Sequence, residues 1–127
     1  MRVEKGIFIP VDGGIDLDSE APGWSSGPKS QSPFFLEADM YGLEAVRFGA
    51  AYGTEITKIG DNATIDECWN ATGFGPSVEI ERGNMSPGYT TITICAHTRG
   101  GHYAIVRATN YRASAALDIA VWVSTTT

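Results

Sequence analysis

YTTITICAHTRGGHYAIVRATNY (residues 89–111) is the stretch on which the fold reading turns. Two runs rich in Thr, Ile, Val and Ala flank Arg99-Gly100-Gly101, where a positive φ is cheap. β-Branched and aromatic residues suit a pleated, half-buried surface, so the runs read as two strands joined by a tight turn. A hairpin of this kind predicts an antiparallel sheet. The rest of the chain agrees, because 15 Gly and 6 Pro cut it into short runs and no amphipathic pattern is long enough for a packed helix.

Towards the C-terminus, AALDIAVWVS (115–124) places Leu117, Ile119, Val121 and Val123 on one face of a strand. Thr125 to Thr127 are expected to fray. Towards the N-terminus, Ile7 to Val11 and Gly14 to Asp18 read as strands, the second with Ile15 and Leu17 on one side and Asp16 and Asp18 on the other. The Ser-, Pro- and Gly-rich stretch 19–33 reads as a long surface loop within one domain, since a boundary there would leave an N-terminal piece too small to fold. FFLEADMYGLEAVRF (34–48) has the Leu, Glu and Ala of a helix. Gly42 and the lack of a 3.6-residue stripe favour two strands, Phe34 to Met40 and Leu43 to Phe48.

Thr54 to Ile59 is a further strand. ATIDECWNA (63–71) reads as a short helix capped by Asp61 or Thr64, with Asp66 and Glu67 in its first turn and Gly73 as its stop. Ser77 to Glu81 alternates with period 2, and Asn84 to Gly88 is a turn. The expectation is one all-β domain over 1–127, ordered from 6 to 124. It is a β-sandwich or jelly-roll-like fold of about seven to nine short strands with one short helix near 64–71.

Hydrophobic residues make up 43% and charged residues 19% of the 127-residue chain, and no apolar run nears the roughly 18 residues of a membrane helix. The formal net charge is −6 and the nine Lys and Arg do not cluster. Nucleic acid and anionic membranes both need a concentrated basic patch, so neither is expected as a partner. A protein or glycan ligand remains. The apolar stretch Ile7 to Pro10 is too short for a signal peptide, so Met1 is expected to begin either a cytosolic protein or an excised domain. Cys68 and Cys95 fit two buried thiols inside the cell or one bridge outside it.

His97 and His102 flank the hairpin turn, but no acidic or Cys residue lies on the hairpin at a spacing that would complete a metal site, and no nucleophile is marked. They read as solvated surface histidines, and no metal or cofactor is expected. Asp12, Asp16, Asp18 and Glu20 surround Gly13-Gly14 without the register of a calcium loop, and read as solubilising carboxylates. Asp16 and Asp18 are also candidate ligand contacts. Trp24, Trp69 and Trp122 could form an aromatic platform, with Trp24, in a polar loop, the best single contact. The triplets starting at Asn62, Asn70 and Asn84 fit the glycosylation pattern, and read first as turn and helix-end residues.

Taken in order, GIDLDS (14–19), the Ala/Gly-rich 49–53, DECWNATG (66–73), TTITICAHTRGGHYAIVRAT (90–109) and LDIAVWV (117–123) resemble a divergent β-domain of secreted and surface-anchored actinobacterial proteins. That domain also occurs as the C-terminal extracellular module behind membrane Ser/Thr kinases. The resemblance spans roughly residues 6–124. It implies that Cys68 and Cys95 are disulfide partners, a bridge that would contribute roughly 3 to 4 kcal/mol by the chain-entropy argument. It implies no enzymatic activity. The function expected is a non-catalytic extracellular or cell-surface binding or sensor module. The alternatives are a carbohydrate-binding module using exposed Trp, a structural subunit that self-associates through an edge strand or the 19–33 loop, and a cytoplasmic location.

Overall fold

The computed structural model describes residues 2–19, 27–38, 45–60, 64–80, 90–110 and 114–123. In chain order the strands are β1 (Arg2–Pro10), β2 (Gly13–Ile15), β3 (Gly27–Pro28), β4 (Phe34–Ala38), β5 (Ala45–Ala50), β6 (Glu55–Ile59), β7 (Ser77–Glu79), β8 (Thr90–His97), β9 (His102–Asn110) and β10 (Ser114–Val123). A single described α-helix, α1 (Ile65–Trp69), lies between β6 and β7, and a 3-10 turn at Lys29–Gln31 follows β3.

The hairpin forms where the sequence places it. β8 and β9 pair antiparallel from Thr90↔Asn110 to His97↔Tyr103, and Thr98 N–H donates to His102 O at 2.9 Å to close the turn. β10 continues the meander on the far side of β9, β1 adds to β10, and β6 adds to β8, giving the order β1-β10-β9-β8-β6. The second antiparallel sheet has the order β3-β2-β4-β5-β7.

Period-2 alternation decides which side chains meet between the sheets. From the first sheet come Ile9, Ile56, Ile92, Ile94, Val106, Leu117, Ile119 and Val121; from the second come Ile15, Phe34, Leu36, Phe48 and Ala50, in one buried cluster. Phe34 and Phe48 stack with centroids 5.4 Å apart. The architecture is a β-sandwich.

The 34–48 stretch resolves in favour of strands. Phe34 and Leu36 are fully buried in the core, while the intervening Phe35 turns to the opposite face and lies across Gly49, its register partner. A Cβ on Gly49 would come within 2.2 Å of the Phe35 ring, so only glycine fits beneath it. The helical composition of this stretch gives way to the burial of alternate aromatic side chains.

The structure has ten described strands rather than seven to nine. The extra ones are short, and β3 together with the 3-10 turn lies inside the stretch expected to be loop. The strand expected over Gly14 to Asp18 ends at Ile15, because Asp18 N–H donates to Asp16 Oδ1 at 2.9 Å and Ser19 N–H to Asp16 O at 3.0 Å. A short acceptor side chain here turns the backbone away from the ladder.

β1 is an edge strand with a bulge between Glu4 and Ile7. Gly6 occupies the bulge at φ +72° and donates its N–H to Asp118 Oδ1 at 3.0 Å. The turn at Asn84 to Gly88 and the terminal threonines lie outside the described residues.

Candidate functional site

Two groups of side chains stand out, one at the tip of the β8–β9 hairpin and one on the outer face of the first sheet. At the tip, the Asp16 turn aims Asp18 at the hairpin. Asp18 Oδ1 accepts from the Thr98 hydroxyl at 2.5 Å and faces His102 Nδ1 at 2.5 Å, and Oδ2 accepts from Gly100 N–H at 3.0 Å. His102 N–H in turn donates to Thr98 Oγ1 at 3.0 Å. The carboxylate fits so closely that a Cβ on Gly100 would stand 2.7 Å from Oδ1.

Partial burial pushes the Asp18 carboxyl up, but the hydrogen bonds from Thr98, His102 and Gly100 N–H, with the charge of His102, outweigh it and hold Asp18 below its ordinary value. A carboxylate at Nδ1 selects the ring form that carries a proton there. The knot ties the segment leaving the second sheet to the tip of the first.

This differs from the sequence expectation of solvated histidines. The His102 and Asp18 side chains are 25% and 27% exposed, and each satisfies the other. The residues are 84 positions apart, so no local pattern could have announced the pair. His97 is also partnered, by ring contacts with Tyr103 and Phe74.

On the outer face of the first sheet, a disulfide joins Cys68 of α1 to Cys95 of β8 across 27 residues, with a Cα–Cα distance of 5.3 Å. Both half-cystines are fully buried with Ile105, and Ile59, Ile65, Ala71, Phe74 and Tyr103 pack around them. Thr64 stands at the N-cap of α1 without a side-chain cap bond, Asp66 and Glu67 occupy the first turn, and Asn70 Nδ2 donates back to Asp66 O at 2.9 Å. A helix of one turn has little stability of its own. The bridge and the rings hold it.

Those rings form a continuous stack. Trp69 lies on Tyr103 with centroids 4.9 Å apart, Tyr103 lies on His97 at 4.5 Å, and Phe74 meets His97 edge-on at 6.4 Å. One face of Trp69 is therefore covered by Tyr103. Trp122 is the register partner of Tyr103, and Trp24 lies outside the described residues, as do Glu20, Asn62 with Ala63, and the triplet starting at Asn84. Of the two carboxylates singled out as ligand contacts, Asp16 makes its turn and Asp18 its knot. Among the described residues, no three His, Cys, Asp or Glu side chains converge as a metal-binding set.

A crevice of about 360 Å³ opens where β1 approaches β2 and β3, lined by Phe8, Pro10, Asp12, Gly13, Gly27 and Pro28. Among the described residues of that lining, Asp12 is the one with an ionisable side chain. The turn before β6 was not singled out by the sequence: Tyr52, at φ +54°, is 57% exposed and donates its hydroxyl to Ser30 O at 2.5 Å. Its signal was the Tyr-Gly pair between two β runs, in a position where Asn-Gly is the usual choice.

No protein-family model, curated protein or solved structure matches this chain. No helix among the described residues is long and apolar enough to cross a membrane.

Proposed function

We propose that this chain is a non-catalytic binding or sensor module of an extracellular or cell-surface protein, of the kind found in secreted actinobacterial β-domains and behind membrane Ser/Thr kinases. The observation that carries the reading is the wiring of the Asp18 knot. Asp, His and a hydroxyl come together there, as nucleophilic catalysis requires, but the Thr98 hydroxyl donates to the Asp18 carboxylate. An activated nucleophile would instead face the far nitrogen of the imidazole, which takes its proton. The knot holds two segments together, and the Thr98 proton points to Asp18 rather than to the imidazole.

The buried Cys68–Cys95 bridge supports the compartment, since such bridges form and persist where the environment is oxidising. The formal charge of −6 speaks against nucleic acid and anionic membranes as partners and leaves a protein or glycan ligand.

Intact mass of the protein from its native source, before and after reduction and alkylation, tests the compartment. A two-proton deficit that disappears on reduction is expected; two free thiols would move the cytoplasmic reading ahead. Specific hydrolytic turnover by the purified protein, lost in Asp18→Asn, would overturn the non-catalytic reading.

A further inference from the structure

The exposed large hydrophobic and aromatic side chains of the described chain are Val3, Phe8 and Tyr52, and Tyr52 differs from the other two. It occupies the first of two central positions in a turn closed by Thr54 N–H donating to Ala51 O at 3.1 Å, with φ +54° at Tyr52 and +87° at Gly53. Two successive positive φ values define a turn that favours Asn or Asp at the first position and Gly at the second. The second residue obeys the rule and the first breaks it. A bulky residue held in the left-handed region is strained, and such strain concentrates where a side chain is needed for contact.

The Tyr52 ring is also pre-set. Its hydroxyl is fixed on Ser30 O, it has no ring partner among the described residues, and it remains 57% exposed. Arg99 runs alongside: its stem passes over Gly53, where a Cβ would meet Arg99 Cβ at 3.0 Å. Ser30, Gln31, Arg99 and Gly100 around this end are all exposed. One fixed aromatic face with a rim of polar groups is poor in the apolar area from which a stable protein interface builds its core. It suits a ligand with one apolar face and many hydroxyls. The chain's net charge of −6 disfavours a polyanionic ligand.

We infer that Tyr52, with Arg99 beside it, is the stacking platform for a neutral hexose polysaccharide. The inference rests on the reading of the chain as a binding module, and names its ligand class. The apolar face of a pyranose ring lies on the Tyr52 ring, and Arg99 donates to its hydroxyls. Holding the ring in place before binding removes the cost of ordering it on contact.

Native affinity electrophoresis in gels containing hydroxyethylcellulose, galactomannan or a linear β-1,3-glucan tests this, with polygalacturonate as the charged comparison. Retardation of the wild-type protein by at least one neutral polymer is expected. Tyr52→Phe keeps the ring and should retain affinity within about threefold, whereas Tyr52→Asn suits the turn but removes the ring and should lose tenfold or more. Near-UV circular dichroism and the thermal midpoint check that both variants fold. No retardation by any neutral polymer, retardation by polygalacturonate alone, or undiminished binding by a folded Tyr52→Asn would each overturn the inference. A reducing-end assay on the same mixtures separates the two failures. New reducing ends would remove the non-catalytic reading, while their absence alongside absent retardation removes the polysaccharide alone.

Discussion

The two sheets share a core but cover their outer faces by different means. On the first sheet a one-turn helix is tied down by a buried disulfide and a stack of Trp69, Tyr103, His97 and Phe74. On the second, Phe35 folds over Gly49, and Arg47 bridges three neighbouring strands through Glu37 at 2.8 Å and Glu79 at 3.1 Å. Hydrogen bonds to Glu37 and Glu79 push the Arg47 pKa up from its ordinary value, but its side chain is 38% exposed. Ion pairs in that setting stabilise little, because water already solvates both partners. Most of the outer-face stability should therefore reside on the covalent side.

The sharpest way to break the comparison is to remove the bridge. The double substitution Cys68→Ala with Cys95→Ala is expected to lower unfolding free energy in urea by roughly 3 to 4 kcal/mol, following the entropy of the loop it opens. A loss below that of any second-sheet variant would reverse the ranking.

Next comes the close approach on the second sheet. Gly49→Ala inserts a methyl group against the Phe35 ring and should cost about 1 to 3 kcal/mol, read by the same titration. The Asp18 knot belongs to neither face and gives a baseline. Asp18→Asn is expected to cost about 1 to 2 kcal/mol near neutral pH, as charge-assisted hydrogen bonds are replaced by weaker ones.

Its pH signature is specific. Because the folded-state pKa of Asp18 is lowered from 3.8, the stabilisation is fully present above that value and is lost as pH falls through the lower, folded value. The wild-type minus Asp18→Asn difference in thermal midpoint should shrink on acidification below about pH 4. A difference that grew on acidification would contradict the assignment.

Two smaller effects sharpen the contrast. Thr93 is 1% exposed on the Cys95 side of β8, and its hydroxyl has no partner among the described residues. Thr93→Val keeps the shape, removes the unpaired group and should stabilise by about 1 kcal/mol. Arg47→Ala should give the smallest shift in the urea midpoint of the set, and that shift should fade in 1 M salt.

Much of the fold was legible because strands with one buried face announce themselves by alternation. The β8–β9 hairpin and the Leu117, Ile119, Val121 face of β10 read directly. The 34–48 stretch was nearly ambiguous: Leu, Glu and Ala argue for helix, and only the burial of Phe34, Leu36 and Phe48 on a common core decides it. β2 and β7 lie where alternating runs were read from Gly14 and Ser77, each ending earlier than its run, whereas β3 is two residues long, too short for any period to register.

The polar knot was invisible for a different reason. Asp18 and His102 are joined by topology across 84 positions, and neither has an unusual neighbourhood in sequence. Tyr52 lay in plain view beside Gly53, yet its backbone strain exists only in three dimensions.

The Gly6 bulge governs how the molecule behaves in a crowd. An incoming strand that added to the open edge of β1 would need an uninterrupted row of backbone groups, and the register breaks between Glu4 and Ile7 within a strand of nine residues. Pro10 removes a further donor at its end. Fibrous growth by edge-to-edge addition thus meets a built-in fault at this border of the sheet.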